Sequence, residues 1–176
     1  MGLTSDLIIA NCISFGSSLF TYASSWAKEE KRIYWYQVGQ CGVLALAYIF
    51  FDSYAGVVTL LLCTLRNVIL ALGRYNKTWC ICLASGMVIF GAIFNNSGAA
   101  GWIIIAANTL YTLGAYLAKN EVLIKLNIIL DLLLWIVYEI IMKDVPSFIA
   151  DIIGIVVAIL AIIRYFRERK NTKIEK

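Results

Sequence analysis

The sequence predicts an all-α membrane protein: seven transmembrane helices arranged as two parallel three-helix repeats joined by a linker helix. Three observations carry that prediction. Apolar residues make up 61% of the 176 and charged residues only 15%, against roughly 45–50% and about 25% in a soluble domain; a soluble fold of this size cannot hide so much apolar surface. Apolar runs of bilayer length recur along the chain, and seven helices of about 20 residues each leave no room for a second domain. Finally, the polar residues within those runs fall in stripes, and the cations in the connections fall on one side.

The first span, 5–26, carries Asn11, Ser14, Ser18, Tyr22 and Ser25 along one side. No Lys or Arg precedes Asp6, so the basic start of a signal peptide is missing and the helix is expected to stay in the mature chain. The second, 33–51, offers Gln37, Gln40, Cys41 and Tyr48; the third, 55–73, offers Thr59, Cys63, Arg66 and Asn67. The fourth, 79–95, contains nothing more polar than Cys, Ser85 and Gly86 up to Phe94, and reads as a lipid-facing linker. The fifth, 100–118, has Asn108, Tyr111 and Thr112. In the sixth, 122–142, residues Asn127, Asp131, Trp135, Tyr138 and Glu139 share roughly 120° of arc at 100° per residue. The seventh, 147–166, follows Pro146, which a first helical turn tolerates, and carries Ser147, Asp151, Gly154, Ala158 and Ala161. The chain is thus a single membrane domain, 1–176: a first unit over 5–75, the linker over 79–95, a second unit over 100–166 and a basic cytoplasmic tail over 167–176.

Orientation follows from the cations. With the N-terminus outside, 13 of the 15 Lys and Arg face the cytoplasm, among them Lys28, Arg32, Arg74, Lys119, Lys125 and the tail after Arg164. The net charge of +4 is then a topological signature, and no nucleic-acid partner is expected. Lining up Ala27-Lys28 with Ala118-Lys119 superimposes helices one to three on helices five to seven. In that register Glu30 meets Glu121 and Gln40 meets Asp131, while a shift of one residue brings Tyr48 onto Tyr138. Parallel repeats of this kind are a transporter architecture.

A polar side chain in lipid must face protein or water. Six helices can therefore enclose a shared polar interior. Small residues such as Ser14, Ser18, Gly154 and Ala158 are accounted for by close helix packing, but the charges are not: Arg66, Asp131, Glu139 and Asp151 each cost roughly 2.5–3.5 kcal/mol if central and unpaired. Arg66 and Asp131 sit at similar depth and are the preferred ion pair, read either as a static bridge or as a gate. The candidate substrate-binding set is Gln40, Arg66, Asn67, Asn108, Asn127, Asp131, Trp135, Tyr138, Glu139 and Asp151. No metal site or cofactor is expected, since His is absent and the five Cys sit in apolar segments as small buried hydrophobes. An enzyme is not expected either, because no nucleophile–base set or phosphate-binding loop accompanies the carboxylates.

Tyr54-Ala-Gly56, Leu65-Arg-Asn67, Trp135-Ile-Val-Tyr138 and Ile163-Arg-Tyr-Phe166 resemble the YgjV-type bacterial inner-membrane proteins, over roughly residues 8 to 167. That family is considered distantly similar to SWEET, PQ-loop and PnuC-type transporters, so the resemblance implies a three-helix, linker, three-helix fold in the cytoplasmic membrane and a transport role. It carries no substrate. Two departures stand out: the look-alikes hinge on core prolines, whereas Pro146 is the only proline here, and the position of Glu139 is often an amide in them. The expected function is a small facilitative or proton-coupled transporter of a polar solute such as a nucleoside, vitamin or sugar, working by alternating access among membrane lipids. The alternative is a non-transporting sensor, receptor or assembly partner with a structural polar core. The same stripes suit either a cavity or a seam between copies of the chain in a homo-oligomer.

Overall fold

A chain in lipid must pair every backbone N–H and C=O within itself, and apolar segments of this length do so as helices. The computed structural model describes residues 5–174, with side chains described through residue 169. Among the described residues there are seven α-helices and no strand: α1 (Ser5–Trp26), α2 (Glu30–Phe50), α3 (Tyr54–Ala71), α4 (Lys77–Ile93), α5 (Ala99–Leu117), α6 (Glu121–Met142) and α7 (Val145–Ile174). Four of them, α1, α3, α5 and Val145–Arg169 of α7, are long and apolar enough to cross a membrane. Helix α4 is apolar but has 17 residues. Helices α2 and α6 are diluted by polar groups: α2 opens on Glu30-Lys-Arg32, and α6 contains Lys125, Asp131 and Glu139.

Each helix packs against the next, α7 returns to α1, and α3 also touches α5, which closes a ring. Helix α4 docks on α3 and α5. Its outer face, with Ile81, Val88, Ile89, Phe90 and Ile93 exposed, is apolar. Through Ile174 the stretch expected as a basic tail continues α7, with no Gly or Pro interrupting the chain after Gly154; the last two residues lie outside the described ones. The tail cations Lys170, Lys173 and Lys176 lie outside the described side chains.

Two corners of the ring are built alike. At the α2–α3 corner Asp52 adopts φ 54°, and the amides of Asp52 and Ser53 close back onto the carbonyls of Ile49 and Tyr48. At the α6–α7 corner Lys143 adopts φ 61°, and the amides of Lys143 and Asp144 close onto Ile140 and Glu139. Both are left-handed helix terminations in which a residue other than glycine takes the position glycine usually fills. The next residue then caps the following helix: Ser53 Oγ accepts from the Gly56 amide at 3.3 Å, and Asp144 Oδ1 accepts from the Ser147 amide at 3.2 Å.

Candidate functional site

Inside the ring lies a polar cavity of about 40 Å³, room for about three waters at roughly 10–15 Å³ each. Its lining comes from α1, α2, α3, α5, α6 and α7, and no residue of α4 contributes. Eight of the ten candidate residues line it: Gln40, Arg66, Asn67, Asn108, Asp131, Trp135, Glu139 and Asp151.

One wall is knit by hydrogen bonds. Arg66 is 3% exposed. Its Nε donates to Asn67 Oδ1 at 3.0 Å, its Nη1 to Thr112 Oγ1 at 3.1 Å, and its guanidinium stacks 4.3 Å above the Tyr111 ring. The network continues as Asn108 Nδ2 donates to Thr59 Oγ1 at 3.0 Å and Cys63 Sγ donates to Asn108 Oδ1 at 3.1 Å. Gln37 and the Tyr111 hydroxyl bond each other at 2.7 Å. Residues one turn apart on α3 and α5 meet here because each stripe faces the other.

The opposite wall is acidic and only partly satisfied. Asp131 Oδ1 is buried without a hydrogen-bond partner, although the Trp135 indole lies within reach of the carboxylate. The expected Arg66–Asp131 ion pair is not formed. Both groups line the cavity, but Arg66 spends its fork on Asn67 and Thr112, its neighbours on α3 and α5. Glu139 and Asp151 are 1% and 4% exposed and sit in hydrogen-bonding contact across the α6–α7 interface. Glu139 Oε2 has no partner. Beneath them, Asp144 accepts from Ser14 Oγ at 2.9 Å as well as from Ser147. Burial pushes the Asp144 carboxyl above its ordinary range, while the bonds from Ser147 and Ser14 pull the other way.

Two candidates fall outside the cavity. Asn127 turns toward α5, where its Nδ2 donates to the Tyr111 carbonyl at 3.0 Å. Tyr138 is fully buried; its hydroxyl bonds Ser53 Oγ, and its ring stacks on Tyr48 at 5.7 Å with 15° between the planes. The 120° arc of α6 is too wide for one cavity to take all of it. Sequence reasoning missed Lys125 and Asp144, which read as surface residues near helix ends. Lys125 is fully buried, and its Nζ donates to the Ser24 and Ala27 carbonyls at 2.8 Å each, capping the end of α1. Only an Asp–x–x–Ser spacing, Asp144 to Ser147, could have flagged Asp144, as a helix cap. Among the cysteines, Cys41, Cys63 and Cys80 are buried as expected, but Cys12 and Cys82 face outward, since each sits on the lipid side of its helix.

The chain belongs to a family of bacterial inner membrane proteins: the family model Imp-YgjV, described as "Bacterial inner membrane protein", matches residues 8–169. No curated protein and no solved structure matches the chain.

Proposed function

We propose that this inner-membrane protein is a transporter of a small polar solute, with all seven helices crossing the bilayer and the solute bound in the central cavity. The single observation that carries the reading is the gap between Arg66 and Asp131. Both line one cavity walled by six helices, and each keeps bonding capacity: Arg66 uses two of its five N–H donors on side chains, and Asp131 Oδ1 has no partner. A solute entering between them finds donors at one end and an acceptor at the other. Such chemistry suits a molecule carrying both carbonyl or hydroxyl acceptors and N–H or O–H donors, as nucleosides, vitamins and sugars do, with Gln40, Asn67 and Asn108 as further contacts and Trp135 as an apolar face.

The two-unit architecture is supported by the matched corners. Asp52, Ser53 and Gly56 stand 91 residues before Lys143, Asp144 and Ser147, the spacing that brings Ala27-Lys28 onto Ala118-Lys119. Tyr48 and Tyr138, equivalent within one residue, stack on each other, as partners near a two-fold axis would. The contacts α3 to α5 and α7 to α1 are equivalent in that scheme. The orientation with the N-terminus outside rests on the distribution of the cations.

A cavity of about 40 Å³ is far below the roughly 300–1,000 Å³ of an open small-molecule site, so transport requires the ring to open from a closed state. The same volume favours the second reading, a non-transporting module whose polar core is structural. Proteoliposomes separate the two: uptake of a solute, chosen by thermal-shift screening, should fall at least tenfold in Arg66→Ala and Asp131→Asn. Equal uptake by all three, above empty liposomes, removes these residues from the mechanism. A cysteine at Asn108 that labels from neither side of the membrane makes the core structural.

A further inference from the structure

We propose that Glu139 and Asp151 together form a proton-binding site, one proton per chain, whose loss opens the acidic wall of the cavity. The placement argues it. The two carboxyls meet across the α6–α7 interface in hydrogen-bonding contact, both more than nine-tenths buried, and both line the cavity. Two carboxyl groups held this close and this deep in protein favour sharing one proton over carrying two charges.

The groups facing the pair supply nothing to replace that proton. They are Asp131 on α6, Asp144 at the corner, Tyr48 from α2 and Tyr22 from α1, acids or neutral phenols without exception. Arg66 on α3 is bonded to Asn67 and Thr112. Among the described residues, no cation forms an ion pair with either carboxyl. A second observation points to a ligand: Glu139 Oε2, on a side chain that lines the cavity, is buried without a partner, and so, on a different helix, is the Tyr48 hydroxyl.

The chemistry balances simply. A hydronium entering the cavity gives its proton to one carboxylate, forming an O–H bond and leaving water. On release the proton returns to water, and two carboxylates remain in contact in a low-dielectric space where they repel. The repulsion acts between α6 and α7, at the level where Asp151 is six residues into α7. Coupling of this step to solute movement rests on the transport reading; the proton site itself does not.

Infrared difference spectroscopy of the wild-type chain in lipid nanodiscs tests it without a solute. At pH 7 a protonated-carboxyl band equal to one group per chain is expected, shifting on exchange into D2O. Glu139→Gln/Asp151→Asn should lose that one group, each single variant should move the band, and Asp131→Asn should leave it in place. The proposal is overturned by wild-type protein lacking the band, or by a double variant retaining it. A missing band accompanied by a Tm that rises in NaCl over choline chloride would assign the pair to a sodium ion instead. If the band behaves as expected while a cysteine at Asn108 labels from neither side, the proton site stands and transport falls.

Discussion

The α2–α3 and α6–α7 corners share one backbone solution and differ in chemistry. Each ends a helix on a left-handed residue other than glycine and caps the next helix with a side-chain oxygen. At the first corner the cap is a serine hydroxyl whose remaining capacity is met by Tyr138. At the second the cap is a buried carboxylate, near Glu139 and Asp151, with the Tyr48 hydroxyl left unpaired close by. The cation divides the other way, since Arg66 comes from α3 and the cavity acids from α6 and α7. Repetition of the corner therefore supplies shape, and substitution at matched positions supplies polarity.

The largest expected effect tests the basic side. Arg66→Ala removes two charge-assisted hydrogen bonds, each worth about 1.5–3 kcal/mol, and a cation–π contact worth about 2 kcal/mol when desolvated; relief of the buried charge offsets part of this. A net loss of about 3 kcal/mol is expected by denaturant unfolding. Arg66→Lys should restore less than half, because an ammonium cannot serve Asn67 and Thr112 in one plane while stacking on Tyr111. Full recovery in the Lys variant would mean that charge alone matters on that wall.

The acidic side is tested through pH. Burial raises the Asp144 carboxyl above its value in the unfolded chain, so the folded state holds the proton more tightly. Its stabilising contribution is complete below the ordinary aspartate range of about 3.9 and is lost as pH rises through the raised value. Unfolding midpoints should therefore rise as pH falls through that raised value toward the ordinary aspartate range. In Asp144→Asn, which keeps an acceptor for the Ser147 amide, that slope should flatten. The matched Ser53→Ala should shift the whole curve down by about 1 kcal/mol, as loss of a cap does, and leave the slope unchanged.

The tyrosine pair offers a sharper contrast at smaller scale. Tyr138→Phe leaves Ser53 Oγ with the Gly56 amide as its remaining partner and should cost about 1 kcal/mol. Tyr48→Phe removes a buried hydroxyl that has no partner and should be neutral or stabilising. Both keep the ring stack, so a difference in thermal unfolding reports the hydroxyls alone. Equal costs would erase the distinction between the corners.

What the sequence made legible follows from what lipid demands. Helix positions could be read to within about three residues except at the end of α7, because bilayer-length apolar runs have few alternatives; smaller slips fell at the starts of α2 and α7, which begin at Glu30 and Val145. The convergence of Gln40, Arg66, Asn67, Asn108, Asp131, Trp135, Glu139 and Asp151 was legible from period and depth. The partner of Arg66 was not, since depth fixes level and leaves direction open, and Thr112 on α5 was the neighbour that filled it. Lys125 was illegible for a related reason: its four-carbon stem lets the ammonium reach the carbonyls ending α1, and nothing local in α6 announces that. The long run of α7 past residue 166 was missed because charge suggested a tail where helix propensity among Arg, Glu and Lys continued the helix.

The smallest effect concerns the corner backbone itself. A left-handed residue with a side chain is strained by roughly 1–2 kcal/mol, and Asp tolerates the conformation better than Lys does. Glycine would relieve that strain but would also widen the unfolded ensemble, which returns part of the gain. Lys143→Gly should thus stabilise by about 0.5 kcal/mol and Asp52→Gly by less, read as paired unfolding midpoints at one pH. Lys143 is exposed, so its removal leaves the cavity's charges in place and the comparison stays one of backbone. Should Lys143→Gly destabilise instead, the lysine is making an electrostatic contribution to Asp144 and its neighbours across the turn, and the α6–α7 corner is held by charge where the α2–α3 corner is held by geometry.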